Sequence, residues 1–145
     1  MQENEKEPRP VKNSILLVLR ENILKMSEVP PSSAKSVVGE LKVIKISQAP
    51  LELWVVMGRE SDYLVIRGTY CSCPHFTIRV VNGETAMPCY HLVAVEIAVR
   101  QRRFHDLSLS LSKDELQDIV LEVLAGSRST TLRRKLYMLS RREEG

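Results

Sequence analysis

The chain has 145 residues, which suits a single domain with one core, and its formal net charge is +3. The longest N-terminal apolar run, Ile15 to Leu19, is broken by Arg20 and Glu21, so it predicts neither a membrane span nor a signal peptide. The three cysteines cannot all pair in intramolecular disulfides. We therefore expect reduced thiols and an intracellular protein, in the cytoplasm or nucleoid of a prokaryote or the nucleus of a eukaryote.

Residues 1–12 are charged, contain proline and lack a periodic apolar face, so we expect a disordered tail. A helix is predicted from Asn13 or Ser14 to the residues before Pro30, because apolar side chains recur there at intervals of three and four. The side chains that carry this period are Leu16, Leu19, Ile23 and Met26. More apolar residues surround them than one small sheet needs to cover, so these four are either core residues or a partner interface.

The pattern then becomes β-rich. Residues 41–46, 52–57 and 63–70 are strand-like runs separated by Pro50 and by the turn-forming residues 58–62, which predicts an antiparallel meander. Residues 76–81 fit either a strand or a short helix. The predicted fold class is α+β, with a small antiparallel three-stranded sheet and flanking helices.

Two further helices are predicted before residue 127. Residues 91–103 are apolar around most of a helix circumference, so this helix must be buried on more than one side. Glu96 and Arg100 within it are expected to form a solvated pair. Ser112 and Glu115 form a capping box for the next helix, which Gly126 ends. Residues 13–126 are therefore predicted to form one domain.

The basic excess lies at the C-terminus, because residues 127–145 carry six cations and two carboxylates, a net of +4, against −1 for residues 1–126. A final helix is predicted over residues 130–142, with Leu132, Leu136 and Leu139 on one face. Cations on the rest of this helix could neutralise phosphates, or could simply be solvated. The candidate nucleic-acid residues are Arg133, Arg134, Lys135 and Arg141.

The cysteines and one histidine form a potential metal-binding set. Cys71 and Cys73 are separated by one residue, and Cys89 and His91 follow with the same spacing. Three thiolates and an imidazole complete a tetrahedral zinc site, whereas a catalytic zinc would keep one position open for water. An iron–sulfur cluster stays open as an alternative, because the ligand types permit it.

The spacing also predicts where these ligands lie. Residues i and i+2 face the same side of an extended chain, so Cys71 and Cys73 can converge from the end of a strand. Pro88 indicates that Cys89 lies just before a helix, with His91 in its first turn. The metal would then join a strand end to a helix start. His75 is expected either at the surface or in contact with the metal ligands, and His105 in a solvated connector, and neither is counted as a ligand.

The segment from Tyr70-Cys71-Ser72-Cys73-Pro74 to Pro88-Cys89-Tyr90-His91-Leu92-Val93-Ala94-Val95 resembles the SWIM-type zinc finger. The signature of that family is Cys-x-Cys, a variable spacer, and Cys-x-His leading into an apolar helix. Residues 60–124 are most similar to the small SWIM-domain subunits of Shu recombination-accessory complexes, which share a Leu-Ser-x-Ser-x-x-x-Leu-x-Asp-Ile stretch, here Leu109 to Ile119. The resemblance implies a Zn²⁺ cofactor, a RecA-family recombinase paralogue as partner, and a helical assignment for residues 76–81.

Three functional classes remain. The resemblance favours a non-enzymatic accessory of homologous recombination and DNA repair. No Gly-x-x-x-x-Gly-Lys loop occurs in the chain, so a partner would supply any ATPase activity. The second class is a stand-alone DNA-binding zinc-finger regulator, which would use the basic C-terminal helix. The third is an iron–sulfur redox protein. No catalytic residues and no small-molecule substrate are predicted.

Overall fold

The computed structural model describes residues 9–83 and 85–144, with five α-helices, one π-helix and five strands in this part of the chain. The helices are α1 (Arg9–Glu28), α2 (Ser32–Gly39), α3 (Tyr90–Gln101), α4 (Lys113–Leu124) and α5 (Thr130–Glu144), and the π-helix is Phe76–Asn82. The strands are β1 (Val43–Ser47), β2 (Leu53–Val56), β3 (Tyr63–Ile66), β4 (Tyr70–Cys71) and β5 (His105–Asp106). None of the described helices is long and apolar enough to cross a membrane.

The sheet has the strand order β4-β3-β2-β1-β5. Strands β1 to β4 pair antiparallel in sequence order, and β5 pairs parallel to β1. The predicted α+β class is confirmed, but the sheet is mixed and has five strands rather than three. One extra strand arises because Gly68, with φ of +72°, turns the chain within the predicted run 63–70. The other, β5, has only two residues, both polar.

The N-terminal helix α1 begins at Arg9, earlier than predicted, and residues 1–8 of the predicted tail lie outside the described residues. Pro10 is compatible with this start because proline fits the first turn of a helix. A short helix, α2, follows Pro31 where no element is predicted, and it buries Ala34 and Val38.

Both faces of the sheet are covered, and the side chains of its strands alternate between two cores. Val43, Trp54, Val65 and Cys71 lie in the first core with α1, α2 and α3. Ile44, Ile46, Val55 and Leu64 lie in the second core, beneath α4 and α5. This alternation follows from the two-residue period of a strand. The zinc-ligand residues lie on the first face.

Helix α3 is the central helix of the first core. Every residue from His91 to Ala98 is buried, because the sheet covers one side of α3 while α1 and α2 pack on the others. The prediction that this helix is buried on more than one side is confirmed. Glu96 is the charged residue in this run, and its environment differs from the prediction, as described below.

Helix α5 packs against the sheet through the second core. Leu132 is fully buried in the second core, and Leu136 and Leu139 pack against it, as predicted for one face of this helix. The predicted capping box at the start of α4 is also present, with the Glu115 N–H donating to Ser112 Oγ and the Ser112 N–H donating to Glu115 Oε1.

The end of α3 offers a test of backbone strain. Arg102 has φ of 54° and ψ of 45°, a left-handed conformation that costs a residue with a Cβ roughly 1–2 kcal/mol. Glycine adopts it freely but loses more entropy on folding. We expect Arg102→Gly to raise the free energy of unfolding by roughly 0.5–1 kcal/mol in urea titrations. Arg100→Gly, inside the last helical turn, should lower it by about 1 kcal/mol; a loss of stability in both variants would contradict the strain argument.

Candidate metal centre

A short hairpin brings Cys71 to the sheet face that holds α3. The turn before it is closed by the Thr69 N–H, which donates to the Ile66 carbonyl at 2.9 Å. Cys71 pairs with Val65 in β3, which in turn pairs with Trp54 in β2, so all three side chains share one face. The position of the first ligand is therefore set by the register of the sheet.

Ser72, between the first two ligands, locks this hairpin. Its N–H donates to the Leu64 carbonyl at 2.9 Å, and its hydroxyl accepts from the Leu64 N–H at 2.9 Å. Both polar groups of Leu64 are thus satisfied by one residue, which keeps Cys71 and Cys73 on the same side of an extended chain. The role of Ser72 is not evident from the sequence, because its hydrogen-bond partner Leu64 lies eight residues earlier in the neighbouring strand.

Cys73 lies where the chain leaves the sheet and enters the π-helix. The Thr77 N–H donates to the Cys73 carbonyl at 3.3 Å, and the Phe76 N–H donates to Cys73 Sγ at 3.5 Å. Residues 76–81 are therefore helical, as the family resemblance predicts. Phe76 and Val80, one turn apart, pack into the first core and hold this segment against the domain.

The second ligand pair lies at the start of α3, as predicted. Cys89 is the N-cap residue, with an extended backbone of φ −72° and ψ 163°, and His91 lies in the first turn. The imidazole ring packs between Tyr63 and Tyr90, with ring-centroid distances of 4.6 and 4.1 Å. These contacts fix the ring orientation before any metal is bound.

The four predicted ligands converge on one point. Their ligand atoms all lie within 4.8 Å of one another, and none of the four residues is more than 5% exposed. Tetrahedral zinc, with Zn–S near 2.3 Å and Zn–N near 2.0–2.1 Å, places a sulfur and a nitrogen about 3.6 Å apart. Cys71 Sγ and His91 Nδ1 are 3.7 Å apart, so this pair of donors has the spacing that zinc requires.

Residues 54–100 match the SWIM zinc finger family. Over 47 residues, 32% of this chain, the sequence is also 43% identical to a protein from Archaeoglobus fulgidus described as uncharacterized. That stretch covers 37% of the length of the relative. No solved structure matches the chain significantly. The match begins in β2 and ends in α3, so the SWIM finger comprises strands β2 to β4, the π-helix and α3. Cys71, Cys73, Cys89 and His91 form its zinc site.

The pKa values of two thiols in the SWIM finger, Cys71 and Cys73, shift in opposite directions. Burial raises the pKa of the Cys71 thiol above its usual value. Hydrogen bonds from the Cys71 and Cys89 thiols lower the pKa of Cys73. Because zinc binds thiolates, loading the site must displace protons from the thiols that remain protonated. Burial, followed by the charge of Cys73, also raises the pKa of the neighbouring Tyr63 hydroxyl.

The other two histidines lie outside the ligand set. His75 is exposed, and its Nε2 lies 3.4 Å from the Met87 carbonyl oxygen. His105 is exposed in β5, where its backbone pairs with Ile44. Both positions agree with the surface alternative for His75 and the solvated location predicted for His105.

The structure separates the four cations that the sequence groups as nucleic-acid residues. The Arg133 guanidinium donates to both carboxylate oxygens of buried Asp62, at 2.7 and 2.8 Å. Lys135 Nζ lies 3.2 Å from a carboxylate oxygen of Glu115. Arg134 and Arg141 are exposed. Arg133 and Lys135 are thus held by carboxylates of the same chain, and Arg134 and Arg141 remain as candidates for an external anion.

The residues predicted as a core stripe or partner interface on α1 belong to the core. Leu19 and Ile23 are each 1% exposed, and Leu16 and Met26 are partly buried against the same cluster. Helix α1 packs against α3, and these side chains lie in the first core, as the core interpretation predicts. From residue 15 onward, where the exposure of α1 side chains is described, the large exposed apolar residues of this helix are Leu17, Val18 and Leu24.

Two ion pairs in which the carboxylate is buried and the arginine is partly exposed are not predicted from the sequence. Glu96 does not form a solvated pair with Arg100; its carboxylate accepts from Arg67 at 2.7 and 3.2 Å, and its side chain is 10% exposed. Asp62, with a fully buried side chain, pairs with Arg133 across 71 residues of sequence. The position of Glu96 within an apolar run of sequence is a local sign that its buried charge has a partner. No neighbouring residue distinguishes Asp62 from an ordinary turn residue.

Proposed function

We propose that the protein is a non-enzymatic accessory of homologous recombination and DNA repair, in which a zinc-stabilised module binds a RecA-family recombinase paralogue. The observation that carries the non-enzymatic part is the closed metal centre. Four buried ligands fill every position of a tetrahedron and leave none for water or substrate. The metal's task in this proposal is to hold β4, the π-helix and α3 together.

The surface supports a binding role. A pocket of about 320 Å³ lies between α1 and the β3–β4 turn, with apolar walls from Ile23, Leu24 and Ile66. Its charged lining consists of Arg20, Arg67, Glu52 and Glu96, and Arg67 is paired with both carboxylates. This volume is close to the lower limit of protein ligand sites and would accept one or two side chains of a partner. The assignment to recombination rests on the similarity of residues 60–124 to the small SWIM-domain subunits of Shu complexes.

The proposal is tested by co-expressing the chain with RecA-family recombinase paralogues of its own organism and analysing the products by size-exclusion chromatography. We expect co-elution with one paralogue when zinc is bound, and loss of co-elution with the Cys73→Ala variant. An unrelated P-loop ATPase serves as the control for non-specific association. Failure of the folded, zinc-loaded protein to bind any of the paralogues, together with binding to DNA alone, would support the stand-alone DNA-binding alternative instead.

A further inference from the structure

The outer face of α5 carries four exposed side chains at helical spacing. They are Arg134, Tyr137, Met138 and Arg141, and we refer to them as the α5 stripe. Positions i, i+3, i+4 and i+7 share one side of a helix, and here that side lies opposite the buried Leu132. Tyr137 and Met138 are 61% and 52% exposed, so the centre of the stripe is apolar while both ends are cationic.

We propose that the α5 stripe docks an acidic amphipathic helix of a protein partner. Arg134 and Arg141 are seven residues apart, which corresponds to about 10 Å along a helix axis. A partner helix that places an apolar side chain on Tyr137 and Met138, with carboxylates about one turn to either side, would match both the shape and the charge of this surface. The inference deepens the proposed binding function, on which it rests, but does not depend on the partner being a recombinase paralogue.

The contacts within the stripe favour a helix over a nucleic-acid strand. The Arg141 guanidinium lies over the Tyr137 ring, 5.8 Å from its centroid, and donates to the Tyr137 hydroxyl at 3.1 Å. The guanidinium occupies part of one ring face, so less of that face is free to stack on a base, which is how aromatic side chains bind single strands. Met138 adds apolar area that a phosphate backbone would not use.

The surrounding charges lead to the same conclusion. Two of the cations adjacent to the stripe in sequence, Arg133 and Lys135, are already paired with Asp62 and Glu115, whereas Arg142 is exposed. Helix α4, which packs beside α5, also exposes Asp114 and Asp118. A nucleic-acid backbone running across these two helices would meet carboxylates as well as arginines. A short acidic ligand confined to the stripe would contact the two arginines alone.

The stripe is held rigid before any partner binds. Leu132 is fully buried, and the Arg133–Asp62 and Lys135–Glu115 pairs link α5 to the residue before β3 and to α4. A surface that is ordered in the free protein loses less conformational entropy on binding. These structural residues are distinct from the α5 stripe, so the stripe can be altered without removing what holds α5 in place.

The test uses nuclear magnetic resonance on the zinc-loaded full chain with three probes. They are a synthetic helical peptide with leucine on one face and glutamate on its flanks, a twin peptide with lysine replacing glutamate, and oligothymidine. We expect the acidic peptide to shift the amide signals of residues 134–141 and the lysine twin to leave them unchanged. The variant Arg134→Glu/Arg141→Glu should bind the acidic peptide at least about ten-fold more weakly, since two attractive charge pairs become repulsive.

The matched control is Arg79→Glu/Arg100→Glu, which makes the same change in net charge at exposed arginines on the π-helix and α3. It should change the peptide affinity less than about two-fold. Equal losses in both double variants, shifts centred elsewhere, or binding of oligothymidine in preference to the acidic peptide would each overturn the proposal. If the stripe variant still co-elutes with a recombinase paralogue, the α5 stripe is excluded as that partner's site while the proposed function stands.

Discussion

Cys73→Ala is expected to release the metal and unfold the segment from residue 70 to residue 103. Structural zinc contributes about 10–16 kcal/mol of apparent binding free energy in small sites, and that energy is folding energy. Whole domains are stable by only about 5–15 kcal/mol. The loss should extend beyond the finger, because Cys71, Cys89 and His91 are all buried and α3 is the centre of the first core.

The measurement is the zinc content of the purified variant by elemental analysis, together with thermal unfolding followed by circular dichroism. The wild-type chain should carry one zinc and lose its cooperative transition when a strong chelator is added. His75→Ala is the matched control, because His75 lies beside the same turn but is exposed and outside the ligand set. A Cys73→Ala variant that melts like the wild type would rule out a structural zinc site, and iron with visible absorption in the wild type would identify a cluster instead.

Arg133→Met is expected to destabilise the protein by about 3–5 kcal/mol, because it leaves the buried Asp62 carboxylate without its counterion. The side chain of Asp62 is fully buried, and its remaining hydrogen bonds come from the Ser129 N–H at 2.7 Å and the Gly58 N–H at 3.3 Å. Two amide donors cannot replace a bidentate guanidinium. The free energy of unfolding, measured in urea, should fall by this amount while zinc content is retained.

The control for this prediction is Arg134→Met, one residue along the same helix, which should change stability by less than about 0.5 kcal/mol because its side chain is exposed. The double variant Asp62→Asn/Arg133→Met should recover part of the loss, since no buried charge remains. If Arg133→Met and Arg134→Met prove equally mild, the Asp62–Arg133 pair does not hold α5 to the domain. A strong effect would also mean that loss of DNA binding in an Arg133 variant is not by itself evidence of phosphate contact.

The metal site could be predicted from the sequence because the residues that define it lie close together along the chain. Ligand chemistry identifies Cys71, Cys73, Cys89 and His91 by residue type, and the one-residue spacings together with Pro88 place them on a strand end and a helix start. The structure confirms all of these placements. The capping box of α4 was predictable for the same reason, since Ser112 and Glu115 satisfy each other within one helical turn.

What could not be predicted depends on partners distant in sequence. β5 forms because Leu107 is buried and its N–H donates to the Lys45 carbonyl at 2.8 Å, which draws the polar pair His105–Asp106 against β1. Asp62 resembles an ordinary turn residue until α5 brings Arg133 to it. The α1 residues Leu19 and Ile23 could be recognised as an apolar stripe, but only the position of α3 shows that the stripe is covered.

Anchoring both ends of the spacer between Cys73 and Cys89 has a consequence for how this region can vary. The metal holds the two ends of this spacer together. Phe76 and Val80 pack its first turns into the first core, whereas Ile78 and Val81 face solvent. Once the ends of a loop are fixed, doubling its length costs only about 0.6 kcal/mol. Residues added after Gly83 would therefore leave the ligand geometry and the first core intact, which makes this point of the chain a natural site for length differences between homologues and for grafting a foreign segment onto the finger.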